Sequence, residues 1–134
     1  MLVDECLYHR RRGLPSWERV GHPIDTATVV ACFAWLLATR PSRGNVLVYG
    51  LLAAFSCLFV TKDEPTHAVS CSAGEHWLHA VLFLLHPVVF IAAGYLWWTG
   101  SLRIVLVAGA VLTAGFGTYQ LLYWNGPWRR PRLA

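Results

Sequence analysis

The sequence predicts an all-α, polytopic membrane protein with four transmembrane helices arranged as two hairpins. Three observations lead there. Of 134 residues, 56% are hydrophobic and only 13% charged, too little polar surface to cover a water-soluble domain. Four apolar runs, at approximately 23–39, 46–60, 75–98 and 102–123, fill most of the chain. The breaks between them carry the residues that end helices and turn chains: Arg40-Pro41-Ser42-Arg43-Gly44-Asn45, Thr61-Lys62-Asp63-Glu64-Pro65 and Thr99-Gly100-Ser101. The whole chain, 1–134, is expected to form one four-helix domain with no separate soluble part.

The net charge is +4, but the basic residues flank apolar spans instead of lining one face, so nucleic acid is not an expected partner. They read as topology signals and as contacts to membrane lipids. Cys6, Cys32, Cys57 and Cys71 are scattered, without the spacing of a disulfide framework. The first apolar run ends Thr39-Arg40-Pro41 with no small-residue cleavage site, unlike a removable signal peptide.

In chain order, residues 1–22 mix Arg10, Arg11, Arg12 and Arg19 with apolar residues, and read either as a segment along the head groups anchored by Trp17 or as a basic tail. The first two spans are short: at about 1.5 Å of rise per residue they need nearly all their residues to cross about 30 Å of hydrocarbon. Asp25, beside Thr26 and Thr28, reads as a cap at the start of the first span. Pro65 suits the first turn of a new helix, with Asp63 and Glu64 at its positive end. A helix unbroken to Trp98 would be about 50 Å long, so residues 67–74 are expected at the interface, with the crossing following. Pro87 predicts a kink within it. Gly109, Thr113 and Gly117 in the fourth span form a small-residue face, with the third span, offering Ala92, Ala93 and Gly94, as its expected partner.

Four crossings place both termini on one side. That side carries Arg10, Arg11, Arg12, Arg19, Lys62, Arg129, Arg130 and Arg132, against Arg40, Arg43 and Arg103 on the other, so both termini are expected in the cytoplasm of a cell-membrane protein.

The chemistry concentrates before and within the third span. His67, Cys71, Glu75 and His79 recur at intervals of four, and His86 follows. At about 100° per residue, Cys71, Glu75, His79 and His86 fall in one stripe about 80° wide, with Glu64 inside it and His67 and His76 at its edges. By topology, His22, Asp25, Asp63, Glu64, Tyr119 and Gln120 share a membrane face with the head of this stripe. Imidazole, carboxylate and thiolate are ligands for zinc or iron, and one helix supplies two ligands at i, i+3 or i, i+4. The expectation is therefore a metal site of His76, His79 and Glu75, completed from His67, Cys71, Asp63 or Glu64. Glu75 and His86 are the candidate acid–base groups of a metal-dependent hydrolase or oxidoreductase acting on a lipid-soluble substrate.

Two alternatives stand beside it. A haem or chlorophyll-type pigment on His79 or His86 is the less favoured cofactor, because no other crossing offers a second mid-span histidine. The other is a non-catalytic subunit, in a homo-oligomer or a larger membrane complex, whose inward polar groups bond to one another and fasten helices. No phosphate loop, nucleophile elbow or HExxH pattern is present.

Overall fold

The structure, a computed structural model, describes residues 5, 8, 10, 16–64 and 72–126. The described residues form four long helices: α1 (Ser16–Ala38), α2 (Arg43–Phe59), α3 (Ala73–Thr99) and α4 (Arg103–Asn125), with a 3₁₀ turn, Val60–Asp63, closing α2. Each of the four, α2 together with its 3₁₀ turn as far as Lys62, is long and apolar enough to cross a membrane, as the sequence predicts. The expected interfacial residues 67–71 lie outside the described residues.

Local chemistry fixes the helix ends. Ser42 caps α2, accepting a hydrogen bond from the Asn45 N–H at 3.2 Å. Ser72 caps α3 by accepting from Glu75 N–H at 3.4 Å, and the Ser-x-x-Glu spacing is that of a capping box. At the far end of α3, Gly100 takes the left-handed conformation (φ 67°). This lets the N–H groups of Gly100 and Ser101 reach back to the carbonyls of Trp97 and Leu96, at 3.2 and 3.0 Å.

The first helix begins at Ser16, seven residues before the predicted boundary, so Pro23 lies inside it. A proline there removes one backbone donor and leaves the carbonyl four residues earlier without its helical partner. That carbonyl belongs to Arg19, and it accepts a hydrogen bond from Asn125 Nδ2 at the end of α4, at 3.2 Å. The helix passes the proline because a side chain from another span supplies the missing donor.

The bundle is built around α1. It packs most extensively on α4 and then on α2; its contact with α3 is as slight as that between α3 and α4, although those two are joined by a short turn. The core joins Cys32, Phe33 and Leu36 of α1 to Tyr49, Phe90, Ala93, Trp97 and Leu106. The small-residue face of α4 thus meets α1, not α3 as the sequence suggested. A Cβ on Gly109 would stand 3.0 Å from the Phe33 ring, and one on Gly117 would stand 2.9 Å from the Thr26 methyl. Gly94 of α3 serves α2 in the same way, with the Tyr49 ring 2.9 Å from its Cβ position.

Thr26 cannot swing aside, because its hydroxyl bonds both the His22 carbonyl and Gln120, at 3.0 and 2.7 Å. Gly117→Ala is therefore expected to destabilise by about 1–3 kcal/mol through overpacking. Gly115→Ala, where a Cβ meets nothing within 4 Å, should be neutral or gain up to about 1 kcal/mol of helix propensity. Thermal unfolding of both variants in one detergent measures the difference.

Candidate functional site

The polar interior starts at the membrane face where α1 and α3 begin and α2 and α4 end, here termed the head. Asp25, far from capping a helix, lies within α1 and receives Lys62 Nζ of the 3₁₀ turn at 2.6 Å. His22 Nδ1 stands 3.8 Å from the same carboxylate oxygen. The Lys62 ammonium also lies over the Phe59 ring, 4.7 Å from its centre. Both members of the pair are largely enclosed, with 13% and 11% of their side-chain surface exposed. The earlier start of α1 explains the change: it moves Asp25 from the first turn into the body of the helix.

On the opposite flank of α1, Thr26 bonds Gln120 of α4. Near the C-terminal end of α4, Glu5 is buried and accepts from Trp124 Nε1 at 2.7 Å and from the Tyr119 hydroxyl at 3.3 Å. Arg10 donates to the Tyr119 hydroxyl at 3.2 Å and lies 4.9 Å from the centre of the Tyr123 ring.

A second polar set lies deeper. Thr28 Oγ1 donates to the Asp25 carbonyl at 2.7 Å and stands 2.7 Å from Ser56 Oγ, which is 3.0 Å from His86 Nε2. The three side chains come from α1, α2 and α3, each about 15–20 Å from the end of its helix opposite the head at about 1.5 Å per residue. The His86 ring meets Phe90 edge-on at 4.9 Å. A hydroxyl at this distance from an imidazole has the separation of a nucleophile and its base. Ser56, however, is 1% exposed, and its oxygen is already shared with Thr28. The arrangement spends its polarity on holding three helices together.

Beyond this level, side-chain donors tie helices to backbone carbonyls. The Tyr49 hydroxyl donates to Phe90 O at 2.7 Å, Trp35 Nε1 to Asn45 O at 3.1 Å, and Trp97 Nε1 to Thr39 O at 3.0 Å.

Among the described residues the expected metal site is not formed: no group of three or more His, Cys, Asp or Glu side chains is placed to hold an ion. Glu75 and His79 are buried on one face of α3, but His76, about 100° from Glu75 around the axis, is only half-buried. Glu64 is exposed at the end of the 3₁₀ turn, and Asp63 lies in that turn. His67 and Cys71 lie outside the described residues. His86 shares the angular stripe of Glu75 yet sits eleven residues farther on, about 16 Å along the axis, and its imidazole is engaged with Ser56. Metal donors must all lie about 2.0–2.3 Å from one ion, and among the described residues Glu75 and His79 gain no third donor there, since His76 points about 100° away around the axis.

The topological convergence at the head is realised in part, by Asp25 with His22 and by Gln120 with Thr26. Sequence reasoning missed Lys62, Thr28, Ser56 and Tyr49. The available signal for Ser56 and Thr28 was depth: both are small hydroxyls in apolar runs, nearly level with His86 when residues are counted from the end of each helix opposite the head.

The chain matches no protein-family model, no curated protein and no solved structure.

Removing one member of an enclosed ion pair leaves the other charge buried and uncompensated. Lys62→Met is thus expected to cost about 3 kcal/mol, and adding Asp25→Asn to it should recover most of that loss, as read by unfolding in detergent. Ser56→Ala should cost about 0.6–1.7 kcal/mol, the range of interhelical hydrogen bonds in membranes. A double-mutant cycle with His86→Leu should show a coupling of similar size; strictly additive losses would mean that the Ser56–His86 contact carries no energy.

Proposed function

We propose that the chain is a non-catalytic packing subunit of a cell membrane, with both termini on the cytoplasmic side and with lipids and a further transmembrane chain as its partners. That chain is either a second copy or a member of a larger complex. The observation that supports this reading is the unequal enclosure of the spans. In α1, 39% of the most apolar window is buried, against 11%, 17% and 11% in α2, α3 and α4. Interior polar groups of α1 fasten it to α4 and to α2 with its 3₁₀ turn, while the other spans keep long apolar rows on the outside.

Two rows have the spacing of a helix-packing ridge. On α3, Leu84, Val88, Ile91, Tyr95 and Trp98 alternate at four and three residues, and all are more than half exposed. On α2, Leu47, Leu51, Phe55 and Leu58 form a similar row. Alternating intervals of four and three are those of a seam that receives another helix. The excess of Lys and Arg in the segments on the head side supports the cytoplasmic orientation.

Cysteine crosslinking in native membranes tests the reading. With Leu84→Cys or Ile91→Cys, a short bifunctional reagent is expected to give one discrete product of fixed mass, either a dimer of the chain or an adduct with one other membrane protein. Monomer alone at both positions, with a labelling reagent confirming that each thiol is accessible, would overturn it.

A further inference from the structure

The chain separates its charges along the membrane normal. Its seven carboxylates all fall within residues 4–25 or 63–75; none lies between Asp25 and Asp63, and none follows Glu75. The turns at the end opposite the head therefore contain Arg40, Arg43 and Arg103 with no acidic residue to neutralise them. All three arginines are exposed.

Hydrogen bonds hold these arginines on one surface. Arg103 opens α4, yet its Nη2 donates to the Leu37 carbonyl at the end of α1, at 3.2 Å, which brings it to the segment that carries Arg40. Trp97 fixes Thr39, the residue before Arg40, through its carbonyl at 3.0 Å. Asn45 Nδ2 binds the Arg40 carbonyl at 2.9 Å, and Ser42 caps the helix that Arg43 opens. The turns are thus fastened to each other and to the helix ends, and the guanidinium groups ride on a fixed frame.

Directly below this frame the surface is apolar. Leu47 is 65% exposed, Leu102 63%, Ile104 71% and Trp98 57%. Positive groups above an exposed hydrocarbon wall, with an indole at the boundary, match an amphiphile with an anionic head and two acyl chains. Guanidinium is the side chain best suited to phosphate, because its planar fork donates two parallel hydrogen bonds.

We propose that Arg40, Arg43 and Arg103 form a binding site for the phosphate of an anionic glycerophospholipid, whose acyl chains lie against α2 and α4. This site goes beyond the packing role assigned above: it borders the outward rows at Leu47 and Trp98, but its phosphate contacts are the arginines of the turns, so loss of the crosslinks at Leu84 and Ile91 and loss of lipid preference are separate outcomes.

The test uses the full chain in nanodiscs made from equal parts of phosphatidylcholine and phosphatidylglycerol, with native mass spectrometry of the lipids retained after release. The wild-type chain is expected to keep phosphatidylglycerol in preference to phosphatidylcholine. A cation near a membrane surface contributes about fivefold in affinity for anionic lipid, so the triple variant Arg40→Gln/Arg43→Gln/Arg103→Gln should lower that preference by about a hundredfold. The matched variant Arg129→Gln/Arg130→Gln/Arg132→Gln should keep it. A thermal scan of the first triple variant, expected to show a cooperative transition, establishes that any loss comes from a folded chain. Equal retention by the first triple variant and the wild type would overturn the proposal. So would equal loss in both triple variants, which would indicate bulk attraction only. Displacement of the lipid by inorganic phosphate would also overturn it, by showing an anion site that does not recognise the lipid.

Discussion

The close approach of α1 and α4 governs the rest of the bundle. In lipid there is no hydrophobic force between helices, so association depends on van der Waals contact and on hydrogen bonds across the interface. Gly117 admits Thr26, Gly109 admits the Phe33 ring, and at that separation Gln120 reaches the Thr26 hydroxyl. The same approach brings Asn125 to the Arg19 carbonyl that Pro23 leaves open. One interface therefore both seats α1 and allows it to run through a proline. With α4 on one flank, the remaining faces of α1 are left for α2 and α3, and this is why α1 is enclosed and the others are not.

The interior can be polar because Asp25, Thr26, Thr28 and Ser56 are each met by a group from another element. A hydroxyl or imidazole in hydrocarbon is costly when unpaired and modestly stabilising when paired. Thr28, Ser56 and His86 meet at one depth from three spans, and the Asp25–Lys62 pair closes the head above them. Such a network favours one rotation of each helix, because turning any span by one residue, about 100°, removes its polar group from the set. Specificity of packing follows from polarity here, and apolar matching alone would not supply it.

The number and approximate limits of the four spans were legible in the sequence, because hydrophobic run length and turn residues act locally. The partners were not. Gly109 and Gly117 mark a face that another helix will approach, but their sequence contains nothing that selects the helix, and chain adjacency pointed to α3 when α1 is the one seated there. Asp25 shows how one boundary error propagates. Taking Pro23 as the first turn made Asp25 a cap; the Asn125 bond that carries α1 back to Ser16 involves a residue about a hundred positions away and leaves no local trace. The metal expectation failed for a geometric reason. Helical periodicity placed Glu75 and His79 on one buried face, but an ion needs a further donor at the same point, and His76 lies about 100° around the axis while Glu64 is exposed on another element.

The two halves of the bundle are fastened by different chemistry. At the head, side chain meets side chain, and several of the groups ionise: Asp25, Lys62, His22 and Glu5. At the opposite end, phenol and indole donors of Tyr49, Trp35 and Trp97 bind backbone carbonyls, which carry no charge and do not titrate. The far half also has no carboxylate with which its three arginines could pair, so their charge is directed outward, to whatever anion the surrounding membrane supplies. The segregation that keeps the carboxylates at the head is the same one that leaves the opposite turns in need of an external counter-charge.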